Sequence, residues 1–244
     1  MRIAAATDVG QVRALNEDNL EQGLLPGGSA FAVVCDGMGG AAGGDLASKL
    51  ASESIANALR MNYMPGLPAG FQQRLLVTAL ENANTKIYHT AAMDSALEGM
   101  GTTAVAVIAE REVLHVAHVG DSRAYLLHGG ALHRLTKDHS VVQALIDQGE
   151  LTEEEAMMHP RRNLITRALG VGGEIEADYG AFAWEPGDFV LLCTDGLTNC
   201  ASEEAMVRVL TDRDFADTAK ALVFLANQGG GQDNITAAVI ANAS

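Results

Sequence analysis

The chain has 244 residues, 48% of them hydrophobic, and a formal net charge of −15 from 31 acidic and 16 basic residues. That is enough apolar material for one sizeable core, and the acidic field argues against nucleic acid and anionic membrane as partners. No apolar run reaches the length of a membrane span, and Asp8 comes too early for a secretory signal, so the cytoplasm is the expected location.

In chain order, an apolar run at 2–7 is followed by RALNEDN, which sets Arg13, Glu17 and Asp18 ahead of a second run at 19–24. A third, at 29–36, leads into FAVVCDGMGGAAGG (31–44). Gly37 to Ala42 satisfies G-x-G-x-x-G/A, the phosphate loop of dinucleotide enzymes. Asp36 would aim a carboxylate at the pyrophosphate, however, and a helix pair follows rather than the single crossover of a βαβ unit. The first helix is expected over 44–61 and the second over 70–93, where Phe71, Leu75, Ala79, Ala83 and Ile87 recur every four residues; MPGLPAG (64–70) separates them. Strands at 103–110, 112–119 and 122–128 are joined by the short turns AERE and HGG, which predicts antiparallel hairpins. VLHVAHV is apolar on both alternating sets, so both of its faces should be covered. The stretch 138–170 has its own short helices and polar turns and reads as an excursion; strands at 178–183, 188–194 and 235–241 and helices at 203–211 and 214–227 complete the chain. Strand groups with helix pairs imply an α+β chain of two stacked, mainly antiparallel sheets flanked by helices, a single domain over 1–244. Three cysteines without a C-x-x-C pair argue for a reducing compartment, with Cys35 and Cys193 as buried fillers of apolar runs.

FVLLCTDGL (189–197) echoes FAVVCDGMG, VAHVGDSR places Asp121 at another strand end, and Asp233 in GGGQDNIT precedes a strand. With Glu17 and Asp18, six carboxylates stand at strand edges, where loops from separate strands can meet. One Asp-Gly alone is a turn or cap; the matched set calls for cations, because converging carboxylates repel one another. An all-oxygen donor set favours Mg²⁺ or Mn²⁺ over zinc. Bound cations would also let an acidic protein attract a phosphorylated substrate.

The strings TDVGQVRALNEDN, DGMGG, GTTAV, VGDSR, TKDHS, RRNLITRALG, PGD, TDGL and GGQDNIT follow in an order that resembles the metal-dependent PP2C-type (PPM family) protein serine/threonine phosphatases, over essentially the whole chain and most closely the bacterial single-domain type. The resemblance implies a four-layer α-β-β-α sandwich with two Mn²⁺ or Mg²⁺ ions at one edge and a third, weaker site. It implies that Asp36 bridges the ions, with the Gly37 carbonyl on one of them and Asp195 and Asp233 on the other. Asp18 and Glu17 would hold metal-bound waters or ligate directly, and Asp121 would form the third site with Asp195. Arg13 would fork onto the phosphate. Phosphoserine and phosphothreonine in proteins would be hydrolysed by in-line attack of a metal-bridging hydroxide, opposing a bacterial serine/threonine kinase, and the protein would act as a monomer.

The stretch 138–170 would be the flap beside the site, where Arg161 and Arg162 either guide phosphoprotein segments or serve as surface charge. Many eukaryotic members have histidine at the position of Met38, and several bacterial members carry one just beyond DGMGG, where this chain has Ala41 and Ala42. The proton for the leaving alkoxide would then come from metal-bound water or from His139, which is otherwise a structural partner of the adjacent loop. Two other classes compete. A GDS serine hydrolase would use Ser122 but needs a late D-x-x-H, absent here. A catalytically weak, phosphatase-like interaction module would be expected to lack metal aspartates, and this chain keeps them.

Overall fold

The computed structural model describes residues 1–39, 43–67, 70–212 and 214–243. One sheet is built from β1 (Arg2–Asp8), β7 (Arg123–His128), β8 (Ala131–Arg134), β10 (Phe189–Cys193) and β11 (Ile235–Ala241), in the order β1-β11-β10-β7-β8. The other takes β2 (Asp18–Leu24), β3 (Ala30–Met38), β5 (Ala104–Ala109), β6 (Val113–Val119) and β9 (Asp178–Ala183), in the order β2-β3-β5-β6-β9, with the short β4 (Gly101–Thr102) on the end of β3. The pairings are antiparallel throughout, as the short turns require.

The two-residue period of the strands sorts their side chains into three apolar layers. On β3, Phe31, Val33 and Cys35 pack under α1 (Gly43–Asn62) and α2 (Phe71–Met93), while Ala30, Ala32 and Val34 face the opposite sheet. On β11, Ile235, Ala237 and Val239 pack under α6 (Glu203–Asp212) and α7 (Phe215–Gln228), while Ala238 and Ile240 meet the inter-sheet layer. β6 splits the same way, Leu114 and Val116 inward and Ala117 and Val119 toward the helices, which is why it reads as apolar on both sets. Each fully buried Val, Leu or Phe contributes about 1.5–3 kcal/mol relative to exposure, and the result is the expected order helix, sheet, sheet, helix.

The expected register of α2 is partly corrected. Its buried face is Gln72, Leu76, Ala79, Leu80, Ala83, Asn84 and Ile87, so Phe71 and Leu75 lie at the margin. Two polar residues belong to that face because they have partners. Gln72 Nε2 donates to Glu110 Oε1 (2.9 Å), and Asn84 accepts from the Gly170 amide (2.7 Å) while donating to the Gly172 carbonyl (2.9 Å). A pattern search for apolar residues passes over both. β4 and β8 are likewise additions to the expected strands, the first too short and the second too exposed to leave a period. The stretch 138–170 carries α3 (Val141–Asp147), capped by Ser140 on the Gln143 amide, and α4 (Glu153–Met157), which opens on a Thr152–Glu155 capping box.

Candidate metal centre

β2 and β3 pair in a register that sets Asp18 directly opposite Asp36. Asp195 opens the short α5 (Asp195–Thr198) straight after β10, and Asp233 stands just before β11, β10's neighbour. Asp121 lies between β6 and β7. The strand ends therefore deliver the carboxylates to one cleft of about 340 Å³, lined by Arg13, Glu17, Asp36, Gly37, Asp121, Asp195 and Asp233 together with Met38, Gly39, Thr103, Asn163, Ile165 and Asn234. A larger groove of about 560 Å³ runs between α1 and α2 beside Met61, Phe71 and Leu75, but it brings no carboxylates together.

The cleft is electrostatically overloaded. Burial raises Asp36 well above the usual carboxylate range, and the charges of Asp18, Asp195, Asp121 and Asp233 add to the effect. Burial pushes Asp18 up to about 7; hydroxyl bonds from Thr236 and Thr194 oppose this, while Asp195 and Asp233 reinforce it. Asp121 is also pushed to about 7 by burial, then by Asp195 and Asp138. Burial and then Asp233 raise Asp195, and burial raises Glu17 against the pull of Arg13. Among the described residues four buried side-chain oxygens have no hydrogen-bond partner: Gln22 Oε1, which is an amide oxygen on β2, and Glu17 Oε1, Asp18 Oδ1 and Asp195 Oδ1. Leaving buried acceptors unmet is costly, and the last three are carboxylate oxygens of the kind that a hard divalent cation takes. The residues present thus fit a metal centre.

Their supports were not visible in the sequence. Asp18 Oδ2 accepts from Thr194 Oγ1 (2.9 Å) and Thr236 Oγ1 (2.7 Å), so hydroxyls from β11 and the end of β10 reach a carboxylate of the other sheet. Thr103 holds Asp36 through its amide (2.9 Å to the Asp36 carbonyl) and its Oγ1, which accepts from the Asp36 amide (3.0 Å). Asn234 accepts from the Glu17 amide (2.8 Å) and donates to the Val9 and Leu15 carbonyls (3.0 and 2.8 Å), pinning the loop that carries Arg13 and Glu17. Asn199 Nδ2 donates to Asp195 Oδ2 (3.0 Å). Gly37 and Gly44 meet backbone to backbone: a Cβ on Gly37 would collide with the Gly44 carbonyl, and one on Gly44 with Glu17 Oε1. Gly40, Ala41 and Ala42 lie outside the described residues.

Arg13 reaches the cleft, where its Nη2 donates to Asp233 Oδ2 at 2.7 Å, and its side chain is half exposed. Arg161 and Arg162 are exposed and do not line the cleft, although Asn163 and Ile165 beside them do. Among the described residues neither forms an ion pair, whereas Arg167 pairs with Glu176 (3.2 Å) and Asp178 (3.0 Å). Ser122 is buried with its Oγ 2.7 Å from Thr103 Oγ1, a structural hydroxyl rather than a nucleophile. Nor does His139 line the cleft; its Nδ1 accepts from the Gly120 amide (3.1 Å).

The family described as Protein phosphatase 2C matches residues 10–232. The chain is 39% identical over 235 residues to the serine/threonine phosphatase stp of Listeria monocytogenes, covering 96% of this chain and 93% of the relative. It is 40% identical over 239 residues to the serine/threonine protein phosphatase PstP of Mycobacterium tuberculosis, covering 98% of this chain and 44% of the relative. Among solved structures, an S. agalactiae serine/threonine phosphatase superposes with a TM-score of 0.90 at 36% identity, covering 98% of each chain. The catalytic domain of PstP in complex with two manganese ions superposes with a TM-score of 0.85 at 39% identity, covering 98% of this chain and 96% of that one. Sequence, fold and the cluster of strand-end carboxylates agree: the chain belongs to the protein phosphatase 2C family.

Proposed function

We propose that this protein is a metal-dependent serine/threonine phosphatase acting on phosphorylated proteins. The observation that carries the reading is the set of buried, partnerless oxygens on Glu17 and Asp195, in a cleft that Asp36, Asp121 and Asp233 also line, and on Asp18, buried opposite Asp36 behind that lining. Asp36, the Gly37 carbonyl, Asp195 and Asp233 would hold two Mn²⁺ or Mg²⁺ ions, with Asp18 and Glu17 at their edge and Asp121 joining Asp195 in a third, weaker site. When bound, such ions acidify water into a nucleophile at neutral pH and offset charge on the phosphoryl oxygens. Asp36 stays ionised once cations replace the repulsion of its neighbours. Arg13, drawn to Asp233 by charge, exchanges that carboxylate for two phosphoryl oxygens when substrate arrives, its planar fork suiting both. No side chain has to become phosphorylated, in keeping with a cleft that no cysteine or serine lines among the described residues.

By the same reading the chain works as one domain with 138–170 as a flap. Its counterpart is a bacterial serine/threonine kinase, and it acts as a monomer in the cytoplasm, where Cys35, Cys193 and Cys200 stay free thiols. Among the described residues no helix is long and apolar enough to cross a membrane. The deciding assay is hydrolysis of p-nitrophenyl phosphate and of a phosphothreonine peptide with and without Mn²⁺. Activity should require the ion and fall by at least about a hundredfold in Asp36→Asn and Asp233→Asn. Folded wild-type protein that binds Mn²⁺ but hydrolyses neither substrate would favour the interaction-module reading instead.

A further inference from the structure

The tetrapeptide Lys137-Asp138-His139-Ser140 stands between the loop that carries Asp121 and the stretch that carries Asn163 and Ile165. Asp138 accepts from Arg123 Nε and Nη2 (3.1 and 2.7 Å), two residues beyond Asp121, and also pairs with Arg134. Ser140 caps α3 and bridges to Ile165. His139 is bound on both sides. Its amide donates to the Gly120 carbonyl (3.0 Å), its Nδ1 accepts from the Gly120 amide (3.1 Å), and its carbonyl accepts from the Thr166 amide (2.7 Å). One buried residue therefore grips the glycine preceding Asp121 and the residue following Ile165.

The grip defines a tautomer. The chain fixes the direction of the Gly120 N–H, so His139 Nδ1 must present a lone pair and Nε2 must carry the proton. Nε2 faces Asp178 Oδ2 at 3.5 Å. Arg167 Nη1 lies 3.3 Å from Nε2, but that guanidinium is engaged by Asp178 and Glu176, and a neutral imidazole has only one lone-pair nitrogen. Gly120 is buried at φ +103°, packed so closely on Thr103 that a Cβ there would lie 2.6 Å from Thr103 Cγ2. Its amide has no easy substitute for the imidazole.

We propose that His139 is a positioning residue for Asp121: as the Nε2–H tautomer it holds the Gly120 peptide, fixes how Asp121 enters the cleft, and joins that loop to the flap. The proposal rests on the reading of Asp121 as a ligand of the weaker metal site. The rival is a metal site of the cluster's own, because one ligand atom each from His118, His139 and Asp178 lies within 4.8 Å of the others. Geometry disfavours it. The two imidazoles stack with centroids 4.8 Å apart and planes 21° from parallel, so their in-plane lone pairs do not converge. His118 donates from Nε2 to the Lys137 carbonyl (2.9 Å), and His139 has its proton on the nitrogen that would have to ligate.

Asparagine and glutamine separate the two ends of the ring. His139→Asn keeps an acceptor near Nδ1, whereas His139→Gln offers a donor near Nε2 and loses that acceptor. In metal-free protein, NMR-detected hydrogen exchange of the Gly120 amide should quicken by about tenfold or more in His139→Gln and His139→Ala and stay near wild type in His139→Asn. Titration calorimetry with Mn²⁺ should then show the weakest site losing about tenfold in affinity in His139→Gln but not in His139→Asn, with the tighter sites unchanged. If His139→Ala fails to fold, the Asn–Gln contrast still decides. Equal Gly120 exchange in the Asn and Gln variants overturns the proposal, as does faster exchange with an unchanged Mn²⁺ isotherm. Stoichiometric Zn²⁺ binding by the wild type that is lost in His118→Ala also overturns it, in favour of the rival. If no protein binds Mn²⁺, the metal-centre reading falls, and the exchange contrast alone decides whether His139 holds the loop.

Discussion

Asp18 shows at the residue scale what a buried cluster of carboxylates costs the protein that builds it. One of its oxygens is satisfied twice, by Thr194 and Thr236, and the other is buried without a partner. Asp18→Asn should act in opposite directions with and without metal. In metal-free protein at pH 8 the amide removes a buried charge and can donate toward Asp195 and Asp233, so Tm should rise, by a few degrees for a gain of about 1 kcal/mol. With saturating Mn²⁺ the variant should be less stable than wild type, because a charged oxygen near the ions is gone. Differential scanning calorimetry with and without Mn²⁺ checks both signs, and a fall in both conditions would refute the account of Asp18. Asp36, Asp121 and Asp195 were legible because aspartate beside glycine at the end of an apolar run is a local signal, and Glu17, Asp18 and Asp233 because each stands just before an apolar run. Thr194, Thr236, Thr103 and Asn234 were not, since a threonine beside a strand reads as β propensity. Only knowing which strands are neighbours shows what its hydroxyl meets.

At the scale of elements, strands position the residues at their ends, and the stretch 138–170 adds a wall to the cleft. Asn163 and Ile165 line the cleft, and Arg161 and Arg162 beside them are exposed. Replacing both arginines by glutamate should raise KM for an acidic phosphopeptide by about tenfold through long-range repulsion, and leave KM for p-nitrophenyl phosphate within about twofold. The difference should shrink in high salt. Steady-state kinetics with both substrates tests this, and equal effects would assign the arginines to surface charge. Strand existence and pairing sense were readable here from period and turn length. The face of α2 was read only in part, because Gln72 and Asn84 are buried by partners supplied from Glu110 and from residues 170–172, distant in sequence.

For the whole molecule the relevant quantity is proton and metal linkage. Asp18 and Asp121 rise from 3.8 to about 7 without metal, and Asp36 and Asp195 are raised too. The folded chain therefore binds more protons than the unfolded chain between those values. This stabilisation is complete below the unfolded value and is lost as pH climbs through about 7. Metal-free protein should melt several degrees lower at pH 8 than at pH 5.5. Mn²⁺, which needs ionised carboxylates, should reverse the trend, contributing about 2.7 kcal/mol per site at a hundredfold excess over Kd. Thermal melts across pH, with EDTA and with Mn²⁺, measure both, and a metal-free Tm that rises from pH 5.5 to 8 would contradict the overloaded cleft. The sequence by itself determined the α+β sandwich, the candidate ligands and the family resemblance, because periodicity, turn chemistry and carboxylates at strand ends are local properties of a chain. Tertiary structure alone decided which oxygens are left without partners, which hydroxyls and amides hold the ligands, and that His139 faces the Gly120 peptide rather than the cleft. These are distances between residues up to 225 positions apart, as for Asn234 and Val9, and they exist only once the two sheets have packed.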